Sequence, residues 1–257
     1  MAPATIREVL KYPKLTVKAL PLPDVEHIFN LTKTEDTNWT QLRAPFEITD
    51  HCNKILSEID AAISRSDGRP DLVIRLRLEL LLDAVHAIPP SPDSTPIPVL
   101  SKSPFLFGPV VYKEKVHCLQ GTPDWFLCCG SNTNKAKENV AINLVIVVTE
   151  RGQSADGVSR TLAYMAMIHT QRRAEGKADC SVFGLSTDNN QFHFLQINDK
   201  SEASRSELLW SQLVLNYFNH LQEIVEKLAY FHKQASILSA SDRSGETKKA
   251  HSAEDET

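Results

Sequence analysis

The spacing of apolar residues changes period along this chain, and the changes mark its elements. "KLTVKAL" (14–20) has the alternation of a short strand, and the prolines that follow predict a bend. From residue 48 the period is helical. In "ITDHCNKILSEIDAAISRS", Ile55, Ile59, Ala62 and Ile63 recur at three- and four-residue steps, and Thr49 or Asp50 stands where a helix cap is needed. In "RPDLVIRLRLELLLDAVHAIPP", Leu72, Leu76, Glu79, Leu80 and Asp83 share one side, and Pro89 and Pro90 end the helix. "PPSPDSTPIP" then reads as a stiff loop. Beyond it the period drops to two. "GPVVYKEKVHC", "PDWFLCC" and "AINLVIVVTE" read as three strands, and the polar "GSNTNKAKEN" suits a hairpin between the last two.

"GVSRTLAYMAMIHTQRRAEGK" returns to a helical period, with Leu162, Met165, Ala166 and His169 on one face. "DCSVFGLSTDNNQFHFLQI" reads as two strands around Asp188-Asn189-Asn190. "SRSELLWSQLVLNYFNHLQEIVEKLAYFHKQA" reads as a long helix or a broken pair, capped by Ser204 or Ser206. Residues 239–257 hold almost no apolar side chains and are expected to be a disordered polar tail. The remaining elements share one plausible core, which predicts one domain over residues 1–238.

Composition narrows the class. Of 257 residues, 42% are hydrophobic and 23% charged, enough apolar content to build a core without staples. The net charge of −4 argues against a chain built throughout as a nucleic-acid glove, although a local basic groove is compatible with it. Cys52, Cys118, Cys128, Cys129 and Cys180 include no pair at zinc-ligand spacing, so free core thiols are expected. The first residues lack the apolar stretch of a signal peptide, and "INLVIVV" is too short to span a bilayer. The expectation is an intracellular protein, cytoplasmic or nuclear, with no membrane partner and no small-molecule cofactor.

"GTPDWFLCCG" (121–130) sets an acid against an apolar strand. Asp124 there is costly unless a metal, a cation or water meets its carboxylate. Together with "LVIVVTER" (144–151), "YMAMIHTQRR" (164–173) and "FGLSTDNNQFHF" (183–194), Pro123-Asp124 resembles the PD-(D/E)xK nuclease-like superfamily, in particular its short proteins common in fungi. The resemblance covers about residues 72–235. It implies an α/β restriction-endonuclease-like fold, with a mixed central sheet of four or five strands flanked by helices. It also implies chemistry. Asp124 and an acid on the next strand would hold magnesium or manganese, which polarises a phosphate and lowers the pKa of bound water. A lysine two residues beyond the acid would share its face of the strand.

The motif is degraded in this chain. In the register "VVTER", Thr149 takes the acid's place and Arg151 the lysine's, while Glu150 falls between them. A neutral hydroxyl is a weak magnesium ligand, and arginine stays protonated. Shifting by one residue brings Glu150 to the ion but puts Gly152 in the lysine's place. Glu79, among leucines upstream, is a further candidate acid; the plainer reading pairs it with Arg75. Glu79, Asp124, Glu150 and Arg151 are thus the candidate catalytic set, with Asp124 and Glu150 as metal ligands only in an active enzyme. Arg160, Arg172, Arg173 and Lys177 are the candidate nucleic-acid contacts, although a solvated helix face accounts for the last three. Two functions follow. One is a protein with a degraded metal site that binds nucleic acid or protein. The other is an active divalent-metal nuclease using Glu79, Asp124 and Glu150. In the first, Asp124 faces an arginine in place of the ion, and Arg151 is the expected partner.

Overall fold

The computed structural model describes residues 11–35, 37–65, 70–87, 99–101, 104–128, 142–149, 154–188, 190–209 and 220–237. The expected loops at 89–98 and 130–139, the tail, Glu150, Arg151 and Trp210 lie outside these residues. The class is α/β.

Among the described residues, ten strands form two sheets. A three-stranded sheet has the order β1 (Lys14–Thr16), β5 (Lys115–Gly121), β4 (Phe105–Tyr112). The larger sheet contains β2 (Thr32–Lys33), β10 (Glu202–Leu209), β9 (Gln191–Ile197), β8 (Val182–Thr187), β7 (Ile142–Val148), β6 (Trp125–Cys128) and β3 (Val99–Ser101), neighbours in that order. Seven strands replace the expected four or five. One addition is β10, which lies where the sequence suggested a helix: Ser204 and Ser206 pair with Gln196 and Phe194 of β9 and cap nothing. The helix of that segment covers 220–237 (α5). "SRSELL" alternates polar and apolar residues, which favours a strand, but the helical run that follows it masked the change of period.

A second misreading concerns "GPVVYKEKVHC". It is a hairpin of β4 and β5, with Lys113 and Glu114 both at positive φ, 48° and 64°. That is the geometry of a two-residue type I′ turn, usually signalled by Asn-Gly. Lys-Glu gives no such signal. At Asp188, by contrast, the side chain accepts hydrogen bonds from the Asn190 and Gln191 N–H groups and closes the β8–β9 turn as expected.

The large sheet carries apolar side chains on both faces, in keeping with the near-continuous run of β7. Val145 and Val147 meet Leu162, Met165 and Ala166 of α4 (Ser154–Ala174), together with Phe105, Val110 and Leu119 of the small sheet and Val25 of α1 (Leu22–Ile28). Ile146, Val148, Phe183, Leu185, Phe192 and Phe194 meet the other three helices. These are α2 (Asp50–Arg65), α3 (Pro70–His86) and α5. Helices therefore cover both faces. Cys52, Cys118 and Cys180 are buried free thiols.

Thr49 caps α2, its Oγ1 accepting from the Cys52 N–H at 3.2 Å. The buried stripe of α2 runs through Cys52, Leu56 and Asp60, so Ile55 and Ile59 flank it and Ala62 is exposed. On α3 the buried side chains are Arg77, Leu78, Leu81 and Val85, and Leu76, Glu79 and Asp83 face solvent. The cause is polar. Arg77 and Asp60 meet at 3.1 Å between the two helices, and burying that ion pair turns the stripes away from their most apolar positions. Leu81→Ala is therefore expected to cost about 2–3 kcal/mol in urea denaturation. Leu80→Ala, at a half-buried position, should cost clearly less, and equal losses would contradict this orientation of α3.

Candidate functional site

Asp124 stands just before β6, where the Thr122-Pro123 turn delivers the chain into the sheet. β6 runs antiparallel to β7, and β7 runs parallel to β8 through the α4 crossover. The end of β7, the end of β8 and the start of α4 therefore converge near Asp124. Its two carboxylate oxygens have different partners. Oδ1 accepts from Arg75 Nη2 at 3.1 Å, and Oδ2 accepts from the Val148 N–H at 2.9 Å. The Asp124 side chain is 12% exposed and that of Arg75 37%.

Thr149 continues the β7–β8 ladder by one residue. Its N–H donates to the Thr187 carbonyl at 2.9 Å, and its buried hydroxyl donates to the same oxygen at 3.4 Å. Gly157, in the first turns of α4, lets the helix press onto this corner. A Cβ there would lie 2.3 Å from Ser186 Oγ and 2.5 Å from Thr149 Cγ2. Thr149 is thus buried against a helix, with its oxygen already hydrogen-bonded.

Tyr164 completes the corner. Its ring belongs to the core, but its hydroxyl reaches the main chain of Thr122 and lies within electrostatic range of Arg160 and Asp124. Burial raises the phenol pKa; Arg160 pulls it down and Asp124 pushes it up. Gly121 makes room for it, since a Cβ there would sit 2.1 Å from the hydroxyl. Nothing local in the sequence of α4 shows which end of this buried ring meets polar groups.

The candidate residues thus scatter. Asp124 and Arg160 share this corner. Glu79 is exposed on α3, and Arg75, four residues before it, turns to Asp124 instead. The positions of Glu150 and Arg151, and any pairing of Arg151 with Asp124, lie outside the described residues. Arg172 is corrected from a nucleic-acid contact to a buried strut, because its Nε and Nη2 both donate to the Asp179 carbonyl, at 3.2 and 2.6 Å. Arg173 is exposed near the C-terminal end of α4, thirteen residues and about 20 Å along the helix from Arg160. Lys177 is half-buried beyond it, its N–H bonded to the Arg172 carbonyl after Gly176, which ends the helix at φ 69°. The four basic residues do not form one patch.

As a holder of magnesium or manganese the corner is poorly matched. Among the described residues it offers one carboxylate, both of whose oxygens are already hydrogen-bonded, and otherwise only neutral hydroxyls such as that of Thr149. Among the described residues no three His, Cys, Asp or Glu side chains come together as a metal site. Magnesium needs carboxylate charge and six well-placed oxygens, and this donor set does not supply them. Among the described residues, no helix is long and apolar enough to cross a membrane. No family model matches the chain, and no curated protein matches it.

Proposed function

We propose that this chain is a nuclease-like protein of restriction-endonuclease-like fold whose metal position has been taken over by an ion pair, and that it works as a binding module without cleaving its partner. The observation that carries the reading is the double engagement of Asp124 by Arg75 and by the Val148 N–H. A guanidinium supplies the positive charge that an ion would otherwise supply, and it stays charged at any pH the protein meets. The order of β6, β7, α4 and β8 is in keeping with the reading, since the superfamily's PD and acid motifs would need Pro123-Asp124 beside the end of β7.

Nucleic acid is the partner this reading favours. Arg160 and the outward part of Arg75 give one corner two cations, enough for a salt-sensitive phosphate contact of modest strength. Fluorescence anisotropy with labelled single- and double-stranded DNA and RNA should show binding that weakens with salt and with Arg160→Glu. Salt-insensitive or absent binding would move the function to protein interaction.

The metal test is separate. Calorimetric titration with magnesium and manganese should show no binding below millimolar concentration, and the protein should leave all four nucleic acids uncut. Asp124→Ala should cost about 1–2 kcal/mol, from the lost charge-assisted bond and the stranded Val148 N–H. Micromolar metal binding, with cleavage abolished by Asp124→Ala, would overturn the proposal in favour of an active nuclease.

A further inference from the structure

Toward the opposite end of α4 lies a cluster unrelated to Asp124. His169 is buried on that helix, and its Nδ1 lies 2.7 Å from the Cys180 carbonyl. A carbonyl can only accept, so Nδ1 carries the ring proton and Nε2 keeps its lone pair. Nε2 lies 3.0 Å from Ser201 Oγ. Arg173 Nη1 donates to that same oxygen at 2.7 Å. With one donor already pointing at Oγ, the serine's own hydrogen is directed at His169. Ser201 occupies the β9–β10 turn at φ 64°, a conformation uncommon for residues other than glycine. Ser201 is buried, at 8% exposure, and lies directly beneath the exposed Arg173 that bonds to it.

We propose that Ser201 is a nucleophile activated by His169, with small activated acyl esters as its substrate class and Arg173 as the group that stabilises developing negative charge. Neutral histidine, a fixed tautomer and a hydroxyl aimed at its lone pair are the elements of an activated serine. In the acylation step, Ser201 Oγ attacks the ester carbonyl carbon while its proton passes to His169 Nε2. The new Oγ–C bond then persists as the bond to the leaving alcohol breaks, and His169 returns the proton to the leaving oxygen. Water afterwards hydrolyses the acyl-serine by the same proton transfers.

The nearby main-chain donors are occupied. The Ser201 N–H donates to the Asn198 carbonyl, and those of Lys200 and Glu202 donate to Asn198 Oδ1. Arg173 is left as the donor for an oxyanion in both steps, and since only acylation has the good leaving group of an activated ester, deacylation is expected to lag behind it. Burial, the largest effect, lowers the His169 pKa; Arg173 and Arg172 lower it further, while the Cys180 carbonyl and Asp199 raise it. Asp199 itself faces Asp179. The imidazole is thus kept neutral, as a base must be.

The test uses the folded full chain with p-nitrophenyl acetate and, separately, a fluorophosphonate, read by intact mass and peptide mapping. A single adduct on Ser201 is expected. Its rate should rise to a plateau with a midpoint below pH 6.5, the ordinary histidine value. Ser201→Ala should abolish the adduct. Arg173→Gln, at an exposed position, should slow it at least tenfold with the melting temperature unchanged. No adduct on Ser201, or a rate that climbs through pH 8 with hydroxide and no plateau, would overturn the proposal. His169→Gln should abolish the adduct as well; should that variant fail to fold, the pH profile of the native chain and the Arg173→Gln rate still decide.

Discussion

Replacing Phe231 by alanine is expected to lower the stability of the fold by about 3–5 kcal/mol, the range for emptying a buried phenylalanine site. Phe231 lies on α5 and is fully buried. Its ring centroid is 4.8 Å from Phe183 on β8, 5.5 Å from Phe194 on β9 and 6.4 Å from Trp39. One side chain therefore joins the helix, two strands and the segment around Trp39. That segment is itself tied down by Lys227, which donates to the Trp39 carbonyl, and by Arg43, which pairs with Glu223. Rigid polar anchors on either side leave little freedom to collapse around a deleted ring, so the loss should sit near the upper end of the range. Urea denaturation of Phe231→Ala and Phe231→Leu measures it. A loss under about 1 kcal/mol for the alanine variant, well below the usual cost of such a deletion, would mean that α5 does not pack on the sheet through this residue.

Acid should destabilise the protein well above the pH at which carboxylates protonate. His232 on α5 is buried, and its Nε2 lies 3.1 Å from Nδ1 of His86 at the end of α3. Burial, with a smaller push from His86, lowers the His232 pKa to about 4. Above pH 6.5 the ring is neutral in the folded and unfolded chain, and its contribution is fully present. Between pH 6.5 and 4 the unfolded chain takes up a proton that the folded protein refuses. Stability then falls by about 1.4 kcal/mol per pH unit from this residue, or about 3 kcal/mol across the window. Below pH 4 both states are protonated and the loss levels off. His169 and His193 are also buried with lowered pKa values, so they act in the same direction. Denaturation midpoints from about pH 7.5 to about pH 4.5 should show the decline, and His232→Phe should flatten part of it. A native protein equally stable at about pH 7 and about pH 5 would contradict this placement of the histidines.

The elements that local pattern revealed are those whose signal is itself local. β6, β7, α4 and the Asp188 turn all stand where alternation, helical spacing or turn chemistry put them, and Thr49 caps α2 through its own hydroxyl. Each depends on residues within a few positions of one another. Where a local cue was missing, the reading failed. Lys113-Glu114 adopts a turn that its residues do not advertise, and β10 runs into a masking helical stretch. The faces of α2 and α3 also differ from those the pattern predicts, because amphipathicity assumes that charges point outward, and Arg77 and Asp60 form an ion pair inside.

The sequence alone determined that Asp124 needed a compensating group, since a carboxylate beside a core strand is costly by its nature. In one register of the nuclease-like resemblance, the neighbouring strand would carry Thr149 where an acid would complete a metal pair. Which cation answers the need was decided by tertiary structure. Arg75 lies 49 positions from Asp124 and reaches it because α3 packs on the sheet through Leu78, Leu81 and Val85, carrying the arginine to the start of β6. The same holds for Ser201 and His169, 32 positions apart and joined where the β9–β10 turn meets the end of α4. An ion pair or a hydrogen bond acts over about 3–4 Å of space whatever the distance along the chain. Periodicity reports only which neighbours share a face, so such partners become visible when the layers are assembled.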